Sequence, residues 1–345
     1  VTVDRELSRM LLLTYDYELF FRRSGTVERC LLEPTEQILE VGRRHGGMAS
    51  TFFVDTMHLL RCRGGNQSVR DDFERMAEQL RRVVAQGHRV ELHLHPHWLD
   101  AVHEGSGWRF PSYDRYRLHA LPQSEIESLF IAGTQILEEI VSEVDPAYRV
   151  RAFRAGGWCI QPSRPIVSAM RKAGIHIDSS VGPGCSAAGR SHFFDFRGVH
   201  IDRPYCFNSD VTNQSDSGSQ YEVPISTLNL VFLDRLARRL EVLLAKPENQ
   251  PFGDGRGMQV AEGSVTTVGR LQRRLRGETT FLTLDNMSFY TIRRAMKRAG
   301  DYLCFISHPK LMSGHSLRLL ESLAQDSRNH FLTVAGAADR SWSEC

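Results

Sequence analysis

Several signatures that would assign a chemistry outright are missing from this sequence. No G-x-G-x-x-G follows the first apolar run, whose turn reads Asp16-Tyr17-Glu18 instead, so a dinucleotide-binding fold loses ground. No serine stands in a G-x-S-x-G turn and no cysteine is placed beside a base, which leaves a covalent acyl-enzyme route unsupported. The seven cysteines are odd in number and include no C-x-x-C pair. That argues against a disulfide framework or a structural zinc site and fits a reducing compartment. No apolar run is long enough to span a membrane, and Val-Thr-Val-Asp-Arg-Glu-Leu at the start has no basic-then-apolar leader pattern, so a cytoplasmic protein is expected. Neither sign of charge dominates at a net +2, so no field for nucleic acid or a membrane surface is implied.

What is present is a regular succession of strands and helices. Met10–Tyr15 is almost wholly apolar, the pattern of a strand buried on both faces, and it stops at two carboxylates. A helix follows from Pro34 to His45, a strand over Ala49–Val54, a polar loop at 62–68 and an amphipathic helix over Asp71–Gln86. Ser124-Glu125-Ile126-Glu127 has the form of a capping box and opens a long helix. Further strands are expected at Arg149–Arg154, Ile175–Asp178, Tyr221–Ser226, Phe281–Asp285, Tyr302–Ser307 and His330–Val334, with helices between most of them. The alternation predicts a mainly parallel sheet of seven or eight strands in a distorted (β/α) TIM-like barrel. One domain over 1–345 is expected, with long loop insertions at about 182–220 and 246–263.

The densest chemistry lies in Gly87–Asp100. Three of the 14 histidines, His93, His95 and His97, fall within five positions where an alternating strand meets Pro96. Imidazoles gathered where a strand stops are a common way to hold a metal, while a His-rich surface loop is the bland alternative. Other reactive types also follow strands: Asp16 and Glu18, Arg154 with Trp158, Asp178, and His308. Each alone reads more readily as an ordinary ion pair, cap or solvated loop residue. Together, at one end of one barrel, they fit a catalytic divalent metal with a separate base and acid, an inventory suited to hydrolysis.

Taken in order, Thr14-Tyr15-Asp16-Tyr17-Glu18, His93-x-x-x-His97 after Gly87-His88, Phe153-Arg154-Ala155-Gly156-Gly157-Trp158, Asp178-Ser179-Ser180 and Ile306-Ser307-His308-Pro309 resemble the five motifs of the polysaccharide deacetylase family (the NodB-homology domain, carbohydrate esterase family 4). The resemblance spans roughly Met10 to Leu311. It implies Asp16 as general base, His308 as general acid, and Glu18, His93 and His97 as ligands of a divalent metal, most often zinc, with cobalt, nickel or manganese as alternatives. It further implies that Arg154 orients Asp16, that Asp178 pairs with His308, and that Trp158 and Gly157 line the substrate pocket.

Two departures from the family pattern stand out. The family more often has adjacent aspartates where this chain has Asp16 and Glu18, two apart and so on one side of an extended strand. Strand alternation also places His95, rather than His97, on the face of His93; family position favours His97, which is the ligand expected here. The expected function is a metal-dependent N-deacetylase acting on an acetylated amino sugar or glycan precursor. Its rivals are another metal-dependent amide hydrolase (a deformylase, or an amidohydrolase- or PHP-type barrel) and an inactive sugar-binding homologue.

Overall fold

The architecture is known from a computed structural model that describes residues 8–105, 107–189, 192–257 and 278–341. Nine strands form the main sheet: β1 (Arg9–Tyr17), β2 (Ser50–Asp55), β3 (Arg89–Leu94), β4 (Ala152–Ala155), β5 (Ile177–Asp178), β6 (Tyr205–Phe207), β7 (Gln220–Glu222), β8 (Tyr302–Ser307) and β9 (Asn329–Leu332). Their spatial order is β6-β7-β5-β4-β3-β2-β1-β8, with β9 also pairing with β1. All ladders are parallel except β6 with β7. One side of β1 is shared: β9 pairs with Arg9–Leu12 and β2 with Leu13–Tyr17.

The sheet curls but its two ends share no ladder. Single backbone bonds tie them instead, from Ser226 N to Cys304 O (3.0 Å), from Leu282 N to Ser226 O (2.8 Å) and from Ile306 N to Leu282 O (3.0 Å). The expected strand over Phe281–Asp285 is therefore corrected. The ladder there is a short antiparallel pair of Glu278–Phe281 with Thr227–Leu230, and Leu282–Asp285 continues as an irregular segment beside β8. Mixed α/β architecture with a curled, mainly parallel sheet stands, and the barrel is only partly closed.

Helices α1 (Glu33–Arg44), α2 (Thr56–Arg63), α3 (Gln67–Ala85), α4 (Gln123–Val141) and α5 (Arg164–Lys172) pack on the outer face of the sheet. α6 (Phe232–Leu244), α7 (Phe289–Arg298), α8 (Gly314–Ala324) and α9 (Val334–Ser341) follow. α2 fills a stretch with no expected element, and the following turn carries Asn66, whose side chain caps α3 by accepting from Val69 N at 3.3 Å. α4 begins one residue before the anticipated box, with Pro122 at its N-cap and no side-chain cap. Its Phe130, fully buried against Phe153 at 4.6 Å between ring centroids, contributes roughly 2–3 kcal/mol through burial.

Alternation along β1 divides the core in two. Leu11, Leu13, Tyr15 and Tyr17 face the helices. Leu12 faces the concave side with Phe53, Ala152, Ile177 and Cys304, where Val334, Ala335, Ala337 and Ala338 of α9 cover it. α9 thus fills the lower part of the concavity, and side chains further along the same strands are free to be polar. The 182–220 insertion holds a small hairpin (Ser186–Ala188 with Phe193–Asp195) as well as β6. Of the 246–263 insertion, 258–263 lie outside the described residues. Cys206 on β6 is disulfide-bonded, whereas Cys30, Cys62, Cys159, Cys185 and Cys304 are free. Among the described residues no helix is long and apolar enough to cross a membrane.

Glu91 joins β3 to β4 from inside the sheet. It is fully buried, 2.5 Å from Arg89 Nε, and accepts from the backbone N–H groups of Arg151 (2.8 Å) and Ala152 (2.9 Å). Removing one partner of such a buried network costs about 3 kcal/mol or more. Chemical denaturation of Glu91→Ala should show a loss of about that size, and an unchanged midpoint would refute the linking role.

Candidate active site

The polar cluster sits at the C-terminal ends of β1, β3, β4 and β8. On β1 the two-residue pleat sends Asp16 and Glu18 to the same side, and both are buried. On β3 the same pleat carries His93 and His95 to a common face. His95 Nε2 lies 2.6 Å from Glu18 Oε2 and 3.0 Å from His93 Nε2, and His93 Nε2 lies 3.2 Å from Glu18 Oε2. His93 Nδ1 faces Arg154 O at 2.8 Å; donation to that carbonyl fixes the tautomer and leaves Nε2 for the cluster. Candidate ligand atoms of Glu18, His93 and His95 all lie within 4.8 Å of one another.

His97, the expected ligand, is not in this set, and His95 stands in its place beside Glu18 and His93. Pro96 starts a 3-10 turn over Pro96–Asp100 that carries His97 away from Glu18. Its ring stacks on Tyr116 (5.4 Å, 7°) and meets Phe21 edge-on at 4.5 Å, and neither ring nitrogen has a hydrogen-bond partner among the described residues. Plain strand alternation decided the register. Burial holds His95 down at about 4 and His97 well below the usual range, so both are neutral near pH 7. Burial also works against charge on His93, but Asp16 and Glu18 outweigh it and raise its pKa. Glu18 would be raised by burial, yet Lys310 and the two histidines hold it well below the carboxylate range.

Two groups able to move protons border the cluster. Arg154, fully buried with its guanidinium 4.1 Å from the Phe53 ring centre, donates to Asp16 Oδ1 at 2.7 Å, to Ser179 O at 2.8 Å and to Ser179 Oγ at 3.0 Å. Asp16 Oδ2 then lies 4.0 Å from His93 Nε2 and 3.8 Å from His308 Nε2. His308 ends β8, and its other nitrogen, Nδ1, is 2.8 Å from Asp285 Oδ2, while Asp285 Oδ1 accepts from His308 N at 3.0 Å. The expected Asp178–His308 pair is absent. Asp178 instead accepts from Ser180 N and Oγ and shares its buried position with Glu222, so burial raises both carboxyls. Asp285 was missed because the strand expected to end on it was not connected to His308; its signal was the same carboxylate-after-strand pattern that singled out Asp16.

The wall of the site comes from Gly156-Gly157-Trp158. A Cβ at 156 would lie 2.5 Å from Leu94 O and 2.7 Å from His95 Nδ1, and one at 157 would meet Tyr116 Oη at 2.6 Å. Both glycines therefore allow close approach. Trp158 adopts φ 58°, a left-handed conformation rare for such a residue, and stacks on Phe281 at 4.3 Å. Its Nε1 has no hydrogen-bond partner among the described residues. With Asp16, Glu18, Phe21, His93, His95, Tyr116, Gly157 and His308 it lines a cavity of about 130 Å³.

No family model matches the chain, and no curated protein matches it either. Among solved structures it is similar to the 4-alpha-glucanotransferase of Thermococcus litoralis, at 11% identity and a TM-score of 0.51. That match covers 97% of this chain and 40% of that one, so the chain spans well under half of the neighbour's length. A GH57 branching enzyme from Thermococcus kodakaraensis matches at 10% identity and a TM-score of 0.46, over 98% of this chain and 71% of that one. Likeness at this identity speaks to the fold alone.

The resemblance to the polysaccharide deacetylase family is corrected by these findings. No family model supports it, and the solved structure matched at a TM-score of 0.51 is a 4-alpha-glucanotransferase. The readings that rested on it fall too: carbohydrate N-deacetylase, carbohydrate esterase, cleavage of a C–N bond, and an acetylated amino sugar as substrate. The geometry shows why short motifs misled. The histidines that converge are two apart rather than four, and the fourth motif's aspartate does not reach the fifth motif's histidine.

Two outcomes test the geometry. His95→Ala should weaken divalent-metal binding by roughly 100-fold or more, with His97→Ala close to the parent protein; calorimetric titration with zinc checks this, and the reverse ranking would restore His97. For His308, burial opposes its charge, but the hydrogen bond and charge of Asp285, with Asp16 and Glu18, outweigh it and raise the pKa. Imidazolium therefore persists to higher pH than in an isolated histidine. In Asp285→Asn the NMR titration of His308 should move to lower pH, with no such shift in Asp178→Asn; a shift only in the latter would contradict the pairing.

Proposed function

We propose that the chain is a divalent-metal-dependent hydrolase of a carbohydrate substrate, holding its metal on Glu18, His93 and His95. The observation that carries this reading is the convergence of three such donors beside an arginine-held carboxylate and an aspartate-held histidine. The donors suit zinc or a similar ion: one carboxylate oxygen and two imidazole nitrogens, with the His93 ring oriented by a carbonyl. A bound divalent ion supplies a polarised water of lowered pKa. Asp16, held in place by Arg154 through Oδ1, accepts the proton of the attacking water. His308 gives its Nε2 proton to the departing oxygen, and Asp285 holds the imidazolium in place through Nδ1.

The carbohydrate class draws support from the glucan-active neighbours, within the limits of a fold likeness, and from the aromatic wall of Trp158 and Tyr116, which offers apolar faces to a sugar. An O-glycosyl bond is the bond we assign first. Glycosidases that use two carboxylates need one of them protonated and within reach of the substrate. Here Asp16 is paired with Arg154, Glu18 with Lys310 and Asp285 with His308, while Asp178 and Glu222 are fully buried. His308 is therefore the acid on this reading. About 130 Å³ holds an ion, its water and a few substrate atoms, so most of the sugar lies beyond the cavity along the Trp158 wall.

Metal-stripped and zinc-, cobalt- or manganese-loaded protein, offered α-glucans, maltooligosaccharides and aryl glycosides, tests this directly. The loaded forms should release reducing ends and the stripped form should not. Asp16→Asn should lower kcat by about 10²–10⁴-fold with metal affinity retained. Equal turnover with and without metal, or full activity in Asp16→Asn, would overturn the proposal.

A further inference from the structure

A buried ammonium occupies the same carboxylate that faces the two histidines. Lys310 Nζ lies 2.8 Å from Glu18 Oε1 and 2.6 Å from Leu19 O, and it stands 5.0 Å from the ring centres of both Phe20 and Phe21. Lys310 is 5% exposed. Its backbone is fixed by the Pro309–Leu311 turn and by Gly253, whose N–H donates to Lys310 O at 3.0 Å; a Cβ at 253 would come within 2.6 Å of that oxygen. Two of the three ammonium donors are thus spent on fixed oxygens, in a cage with two aromatic rings. A flexible surface lysine pays no such desolvation.

The two oxygens of Glu18 therefore do different work. Oε2 faces His93 and His95, and Oε1 belongs to the lysine. A divalent ion taken up on Oε2 shares its only carboxylate ligand with a fixed positive charge, and at such separations the repulsion in a buried site is substantial. In return, the ammonium neutralises Glu18 before any ion arrives. We propose that Lys310 is a resident counter-cation of the metal centre: it restricts Glu18 to one oxygen and holds metal affinity low enough for the ion to exchange. Lys310 is a positioning residue and has no part in the proton steps. The inference rests on the metal-centre reading above.

Zinc and cobalt dissociation constants of the whole chain, measured by competition with a chromophoric chelator near neutral pH, decide it. Lys310→Met and Lys310→Gln should each bind both ions at least ~10-fold more tightly than the parent protein. The thermal stabilisation produced by added metal should also be larger in both variants. A merely structural lysine predicts the opposite, because its loss would loosen the ligands. Affinity that is unchanged or weaker in both variants overturns the proposal. A variant that folds only when metal is present supports it, since the ion has then replaced the ammonium; one that folds with neither overturns it. A parent protein that binds neither ion, with Glu18→Gln no different, overturns the metal centre itself rather than the role of Lys310.

Discussion

The arrangement of this protein depends on keeping the Glu18 carboxylate charged where water is excluded. An isolated carboxylate in such a place would be neutralised or forced outward, because its desolvation costs far more than a fold can supply. Here a lysine holds one oxygen and two imidazoles face the other. The same device is repeated around it: Asp16 with Arg154, and Asp285 with His308. Three anions and their partners come from β1, β3, β4, β8 and the segment beside β8, so the site exists only when the two ends of the curled sheet approach one another.

That requirement gives the partial closure of the sheet a functional meaning. β8 pairs along β1 and brings His308 and Lys310 to Asp16 and Glu18. The single backbone bonds around Ser226 and Leu282 hold the segment that presents Asp285. α9 fills the lower concavity with small apolar side chains, which leaves the polar residues confined to the strand ends, the usual location of active sites in barrels of this kind.

Much of this was legible in the sequence. The apolar run of β1, the alternation of β3 and the βα succession are strong local signals, and the boundaries of β8 coincide with those expected. The carboxylates and histidines that follow the strands were recognisable by type. What could not be read locally was which of them meet. The His95 register was available from the pleat, yet the four-residue spacing of the family motif pointed to His97. Lys310 reaches Glu18 across 292 residues and Asp285 reaches His308 across 23, and no periodicity encodes such pairings. Five short motifs in the right order suggested a family and a reaction, and neither survived comparison with the whole fold.

The central claim is that Glu18, His93 and His95 form a metal centre. Crystals grown with zinc or cobalt, and measured at the absorption edge of that metal, test it most directly. The account predicts one anomalous peak within bonding distance of Glu18 Oε2, His93 Nε2 and His95 Nε2, with the His97 ring still stacked on Tyr116. A peak ligated by His97, or no peak among these residues at saturating metal, would contradict it.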